Sequence, residues 1–368
     1  MGREARALRP FVLRPFLASL RRTVAYYRCM EHPDIAAALL NELRGLLDRP
    51  ALAFLEPPLQ LTGGHDTTIF AFQLKGAPPD FSGRLVLRVF DESGGACARF
   101  EGTAQSAIAE LGYPAPRALH VSESGGALGR AYLIMPRIDG KQLVAAGVFR
   151  LGGLLAGAQA ALHALDPVPV RLALEGAGCG PIAAGIDDWL KPLDADVGQP
   201  GMEGLRPAHE WLASHRPHRS GRPAICHLDF HPLNVLAKGG VITGVIDWAN
   251  MSFGDPAADV GVTRVILTLA PFEAPGWLRP LAQQVRRLIA WQYTRAYRKL
   301  GPLSAEAVRY YEALRCFEAM SHLSRMRLAE RSGAPVTSTG YAWSDAATVR
   351  RLTRHFARIT GVELGVVE

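Results

Sequence analysis

At 368 residues and 48% hydrophobic composition, the chain is globular in type and longer than the roughly 250–300 residues at which a single core stops growing, so two packed lobes are expected. Its formal charge of +7 comes mostly from arginines scattered along helical segments, without the basic blocks, zinc-finger spacing or aromatic pattern of a nucleic-acid binder. No run of about 18 apolar residues offers a membrane span, and Cys29, Cys97, Cys179, Cys226 and Cys316 lie far apart with no C-x-x-C pair, a usage that fits reduced thiols in a cytoplasmic protein better than a disulfide framework.

Residues 1–50 read as an N-terminal helical extension. The stretch RPFVLRPFLASL is broken by Pro10 and Pro15 and lacks the apolar core and cleavage site of a secretory signal. Within HPDIAAALLNELRGLLDRP, Asp34 is an expected N-cap, Ile35, Leu39, Leu40, Leu43 and Leu47 share one face, and Pro50 follows the end. From Pro58 the period changes. LQLTGGHDTTIFAFQL reads as two strands joined by a turn, and GRLVLRVF as a third strand whose one interior charge is Arg88. CARFEGTAQSAIAELGYPAP follows as a helix closed by Gly112 and Pro114, and RAYLIMPRIDG as a buried strand running into a turn. Residues 51–137 therefore read as a small α+β lobe, and 138–368 as a larger, mostly helical one. In that second part FRLGGLLAGAQAALHALDP is expected as a helix stopped by Pro167, and EWLASHRP as a shorter one. Two hairpin-like pieces, AICHLDFHPLNVLA and GVITGVIDW, interrupt the helices, and SGAPVTSTG at 332–340 reads as a loop.

HLDFHPLNVL, residues 227–236, sets two histidines, an aspartate, a proline and an asparagine inside an apolar, strand-like run. Asp229 and Asn234 flank a turn and Asp247 ends a second strand, so a hairpin brings all three to one mouth. Two oxygen donors for a hard cation, with one carboxylate left to accept a proton, meet the needs of Mg²⁺-dependent phosphoryl transfer.

At these residues the chain resembles the aminoglycoside phosphotransferase and choline kinase branch of the protein-kinase-like fold. HLDFHPLN matches its H-x-D-x-x-x-x-N catalytic loop, and VIDW stands where its metal-binding aspartate sits. LHALDP at 162–167, EWL at 210–212 and GDPAADV at 254–260 are similar to further landmarks, so the resemblance runs from about residue 55 to 330. It implies a bilobal α+β fold and an ATP-dependent kinase, with GTP as the other candidate donor, acting on a small-molecule hydroxyl acceptor. By the same resemblance Asp229 is the base, His227 supports its loop, Asn234 and Asp247 hold Mg²⁺, and Asp259 braces the loop from below. The turn at Gly63, Gly64 and His65 would cover the triphosphate. Arg88 stands where the family has its phosphate lysine, with Glu101 as its ion-pair partner. Met135, Pro136 and Ile138 fall at the hinge, where the Pro136 carbonyl and the Ile138 N–H would meet adenine.

Other readings compete at each position. His227, Asp229 and His231 alternate as a zinc or iron set would, since alternate strand residues share a face. Arg88 and Glu101 read singly as surface charges, and Cys226 as a small buried residue. Arginine in place of lysine is not a neutral exchange, and it is the feature that favours a pseudokinase-like binding protein as the alternative. Residues 273–368 are rich in Arg279, Arg286, Arg287, Arg315, Arg325 and Arg327, with Glu312 and Glu318 the carboxylates expected to face inward. Tyr293, Tyr297, Tyr310, Tyr311 and Trp343 are candidate lining residues. A polycationic acceptor would need acidic or aromatic walls, so a neutral or anionic alcohol is the expected class.

Overall fold

A computed structural model describes residues 33–61, 67–91, 94–218, 221–272, 275–333 and 343–367. Most of the expected N-terminal extension lies outside this range. Its helix is present as α1 (Pro33–Leu46), whose Leu39 and Leu43 are fully buried against Phe70, Phe72, Leu85 and Leu87.

Five antiparallel strands form the N-terminal sheet: β1 (Ala53–Leu61), β2 (Thr67–Lys75), β3 (Arg84–Phe90), β4 (His120–Ser122) and β5 (Tyr132–Pro136), in the spatial order β1-β2-β3-β5-β4. β1 contains Pro57 and Pro58 and slips register twice, which an edge strand tolerates because one side needs no ladder. β3 is central, and all its residues after Arg84 are buried, which explains its apolar run. Side chains alternate across a sheet, so Leu85, Leu87 and Val89 enter the core beneath α1. Arg88 and Phe90 turn to the opposite face, where Phe90 packs on Ala98 of α2 (Gly95–Glu110). Gly102 of α2 lies so close to β4 that a Cβ there would fall 2.5 Å from Val121.

Beyond the hinge, the short strand β6 (Lys141–Gln142) pairs antiparallel with residues 236–237, and α3 (Val148–His163) begins the second lobe. Pro167 does not stop α3, as the sequence led us to expect; it opens α4 (Pro167–Gly176) at the first helical turn, with Asp166 accepting from the Val168 N–H as N-cap. Proline suits that position because its missing N–H would have no helical partner. α5 (Ile186–Val197) and α6 (Arg206–Ser214) follow. The two expected hairpins are one hairpin and one non-local pair. β8 (Val235–Lys238) and β9 (Val241–Val245) turn through Gly239 and Gly240, both at positive φ, as a tight two-residue turn demands. β7 (Ala224–Cys226) pairs instead with β10 (Ser252–Gly254). α7 (Pro256–Leu269), α8 (Arg279–Tyr297), α9 (Ala305–Arg331) and α10 (Ala346–Thr360) complete the lobe around the larger core. No single described helix is long and apolar enough to cross a membrane; only α3 with α4, bent by 67°, meets that test jointly, and both helices bury leucines in this core.

Candidate active site

The segment 227–234 leaves β7 and enters β8, so β7–β10 and β8–β9 hold its two ends. Its backbone is strained at Leu228, φ 58°, a left-handed conformation costly for a residue with a Cβ. Asp259, fully buried one turn into α7, holds it there. One carboxylate oxygen accepts from the His227 N–H and the other from the Leu228 N–H, each at 2.8 Å, while His163 Nε2 lies 3.0 Å away. Burial pushes the Asp259 pKa up, but the His163 bond, the nearby histidines and the His227 N–H outweigh it and leave the carboxyl below its ordinary value. His163, Cys226 and Asp259 stand close enough to hold a metal, yet both Asp259 oxygens are already engaged, and burial drives the Cys226 thiol well above its ordinary pKa. This cluster is a brace.

His227 is fully buried, with its ring between Phe230 and Trp248. Its Nε2 faces the Ile246 carbonyl at 3.1 Å and its Nδ1 faces the Asp229 N–H at 3.3 Å, a pair of contacts met by a neutral ring protonated on Nε2. It ties the loop to the strand end that carries Asp247. Asn234 donates from Nδ2 to the Asp229 carbonyl and to Asp229 Oδ2, both at 3.1 Å. About a quarter of the Asp229 side chain is exposed, and His231 Nε2 stands 3.5 Å from Oδ2. Burial raises the Asp229 pKa; the His231 hydrogen bond and the positive charge of His231 and Arg315 overcome it, so the carboxyl sits below its ordinary value and is ionised at neutral pH.

Asp247 follows β9 with φ 70°, a second left-handed residue. Its Oδ1 lies 3.0 Å from Arg88 Nη2, and Arg88 Nη1 lies 3.0 Å from Glu101 Oε1. The guanidinium thus bridges a carboxylate of each lobe. Glu101 is fully buried, and burial raises its pKa to about 7 against the opposing pull of Arg88. An ammonium offers a point charge; the planar fork serves two carboxylates at once. Asn234 spends its amide nitrogen on Asp229, which leaves its oxygen, with the Asp247 carboxylate, as hard donors of the kind Mg²⁺ takes.

At the hinge, Met135 is buried over Gln105 Nε2 at 3.6 Å, Pro136 is exposed, and the Arg137 N–H donates to the Arg84 carbonyl. The Ile138 side chain lies over Gly244 of β9, where a Cβ would fall 2.5 Å from Ile138 Cδ1. The turn containing Gly63, Gly64 and His65 lies outside the described residues.

Beside Leu228 opens a cavity of about 190 Å³, lined among others by Trp189, Asn250, Tyr311, Arg315 and Glu318. Trp189 of α5 carries no sequence signal for this place; it is held by a bond from Nε1 to Ser252 Oγ at 3.2 Å. Tyr311 and Glu318 of the expected lining residues are here, while Trp343 stacks under Arg315. Tyr293, Tyr297 and Tyr310 are core residues. Glu312 does not face this cavity: it pairs with Arg264 and, at 3.0 Å, with His355, because its position on α9 points to α7 and α10.

Residues 59–303 match the phosphotransferase enzyme family. Among solved structures, a candidate aminoglycoside phosphotransferase from Ralstonia eutropha aligns with TM-score 0.58 and 18% identity over 88% of this chain and 95% of that one. A thermostable mutant of aminoglycoside phosphotransferase APH(4)-Ia, in ternary complex with ADP and hygromycin B, aligns with TM-score 0.55 and 17% identity over 88% and 98%. At such identities the likeness shows the fold, a bilobal protein-kinase-like α+β architecture. The chain is also 25% identical over 174 residues to acyl-CoA dehydrogenase family member 11 of Rattus norvegicus, covering 42% of this chain and 21% of that protein. The Pongo abelii protein of the same name is 26% identical over 168 residues. The chain thus spans about a fifth of the length of these curated relatives.

Proposed function

The chain belongs to the phosphotransferase enzyme family, and from that premise we propose that it transfers the γ-phosphate of ATP to a hydroxyl of a small-molecule acceptor. What supports this reading is that Asn234 hydrogen-bonds Asp229 while the N–H of Ile246, next to Asp247, donates to the Asn234 carbonyl at 2.9 Å, so the braced loop and the β8–β9 hairpin carry the three oxygen-bearing residues in one neighbourhood. Asp229 would orient the acceptor hydroxyl and take its proton as the O–P bond forms and the bond to ADP breaks. Asn234 and Asp247 would hold Mg²⁺, which supplies neutralising charge to the phosphate oxygens. Arg88 would face those phosphates, positioned by Glu101. Adenine would meet the backbone at Pro136 and Ile138 beside Met135, with the turn at Gly63 to His65 over the triphosphate. GTP in place of ATP would use the same phosphate contacts.

The acceptor would enter the cavity beside Leu228. Its charged lining is one arginine and one glutamate, 3.5 Å apart, so little negative field remains to hold a polycation. A neutral or anionic alcohol is the class we propose, and hygromycin B, bound by the APH(4)-Ia enzyme, is the informative counter-example. ADP release from Mg²⁺-ATP across a panel of sugars, macrolides, hydroxy acids, choline and aminoglycosides tests both parts. We expect turnover with a neutral or anionic member that disappears in Asp229→Ala. Turnover confined to aminoglycosides would overturn the acceptor class. Acceptor-dependent turnover that survives in Asp229→Ala would overturn the role of the base. The alternative, a pseudokinase-like binding protein, predicts Mg²⁺-ATP binding without turnover on any acceptor.

A further inference from the structure

A second concavity lies away from the catalytic loop. α8, α9 and α10, with the C-terminal half of α7, enclose a trough of about 1730 Å³. Ten arginines and lysines line it against two carboxylates, Glu312 and Asp345. Neither acid is available to balance the rest. Glu312 is taken by Arg264 and His355, and Asp345 caps α10 by accepting from the Ala347 and Thr348 N–H groups. Arg287, Arg295, Arg298, Lys299, Arg309 and Arg354 are exposed and have no ion-pair partner among the described residues. At one end Arg286 and Arg351 both lie over the Phe272 ring, at 4.5 and 5.8 Å from its centroid. Burial and the nearby Arg351 charge bring the Arg286 pKa down to about 9. Trp291, 59% exposed, stands on the wall with Arg295 at 5.7 Å over its ring.

Like charges gathered in a concave, partly desolvated space repel one another, and the arrangement is relieved by an anion that several of them share. The exposed indole adds a flat apolar surface. The trough exceeds the roughly 300–1,000 Å³ of a pocket for a drug-sized ligand, so an extended molecule fits. Its cations line a concave trough, most of them on the helices and Arg298 and Lys299 on the turn after α8, a relief suited to a small ligand more than to a duplex or a bilayer. The trough is also separate from the acceptor cavity: Ala258 and Val262 of α7 with Tyr311 and Leu314 of α9 line the cavity, whereas Arg264 and Thr268 with Val308 and Arg309 line the trough. The contact between α7 and α9 divides them.

We propose that this trough is a second binding site, for a soluble organic polyphosphate carrying a planar ring. The assignment does not depend on the phosphotransfer reading.

Calorimetric titration with inorganic tripolyphosphate and with ATP, both without metal and in the presence of EDTA, tests it on the whole chain. Binding of both probes that weakens with added salt is expected. The exposed double reversal Arg295→Glu with Arg354→Glu should weaken both by at least about tenfold, and the milder pair Arg287→Gln with Arg298→Gln should weaken them in the same direction. Trp291→Ala should weaken ATP by roughly five- to tenfold, the loss of one ring stack, and leave tripolyphosphate unchanged. Mg²⁺-ATP binding at the catalytic cleft, measured in the same variants, should not move. Absence of binding by the unaltered chain, or equal affinity in the reversed variant, would overturn the proposal. So would affinity for single-stranded oligonucleotides or anionic vesicles with none for either small probe, which would assign the trough to a macromolecular partner.

Discussion

Arg88 joins a carboxylate of one lobe to a carboxylate of the other. Its fork lies 3.0 Å from Glu101 on one side and 3.0 Å from Asp247 on the other. The first contact was legible through the family resemblance, which sets Glu101, on the helix after the third strand, as the ion-pair partner of the charge at Arg88; read singly, the two residues pass for surface charges. The second was not, since Asp247 lies 159 residues away and no local pattern reports such a distance. Removing the fork with Arg88→Met leaves a buried carboxyl unpaired, for which a loss of about 3–5 kcal/mol is the usual scale. Glu101 escapes part of it by taking up a proton, so the loss measured by urea unfolding should be smaller at pH 6 than at pH 8. The sign follows from linkage. The Glu101 pKa is raised from 4.5 to about 7 on folding, so over that window the native state holds more protons than the unfolded chain and stability falls as pH rises. Glu101→Gln lacks this titration, and thermal unfolding at a series of pH values should show the parent chain losing ground to it between about pH 5 and 8. A difference that does not change with pH would mean that Glu101 is ionised throughout. At the neighbouring position, Asp247→Ala should weaken Mg²⁺-nucleotide binding, whereas Asp229→Ala should leave it nearly intact. Calorimetry that gives the opposite ranking would exchange the two roles.

The segment 227–234 is held in shape by the elements on either side of it. Asp259 on α7 pins two successive N–H groups of a segment whose Leu228 is left-handed. In Asp259→Asn the amide nitrogen would face an N–H donor, donor against donor in a dry site. About 2–4 kcal/mol of stability should be lost in urea unfolding, with turnover falling further than nucleotide affinity. The hinge depends on a close approach between elements. Gly244→Ala would drive a methyl into Ile138 and displace the backbone proposed for adenine, so KM for ATP should rise severalfold at nearly constant kcat, and Ile138→Ala in the same chain should restore it. Sequence periodicity located most of these elements, including α1, α2, β3 and the strands around 224–245. It misplaced what only pairing decides. Pro167 signals a helix boundary equally well as a stop and as a start, and the pairing of β7 with β10 spans a hairpin that periodicity alone cannot order. β4 is only three residues long, too short for any alternation to appear.

At the scale of the whole molecule, charge is unevenly divided between the two concavities of the larger lobe. The cavity beside the catalytic loop is nearly balanced, while the trough behind it carries ten cations to two acids. The excess of arginine in the C-terminal third was legible as composition. Its concentration on one side of α7 was not, because α8, α9 and α10 each contribute a few residues and only their packing brings these together. The two-lobed architecture followed from length and from the change of period near residue 140. Phosphorus NMR of the chain incubated with Mg²⁺-ATP and a neutral or anionic alcohol that supports ADP release shows where the γ-phosphate goes. The γ-phosphate signal should give way to a phosphomonoester of the acceptor, and Asp229→Ala should leave the ATP spectrum unchanged. Release of inorganic phosphate alone, or the same phosphomonoester formed by Asp229→Ala, would contradict the proposed transfer with Asp229 as its base.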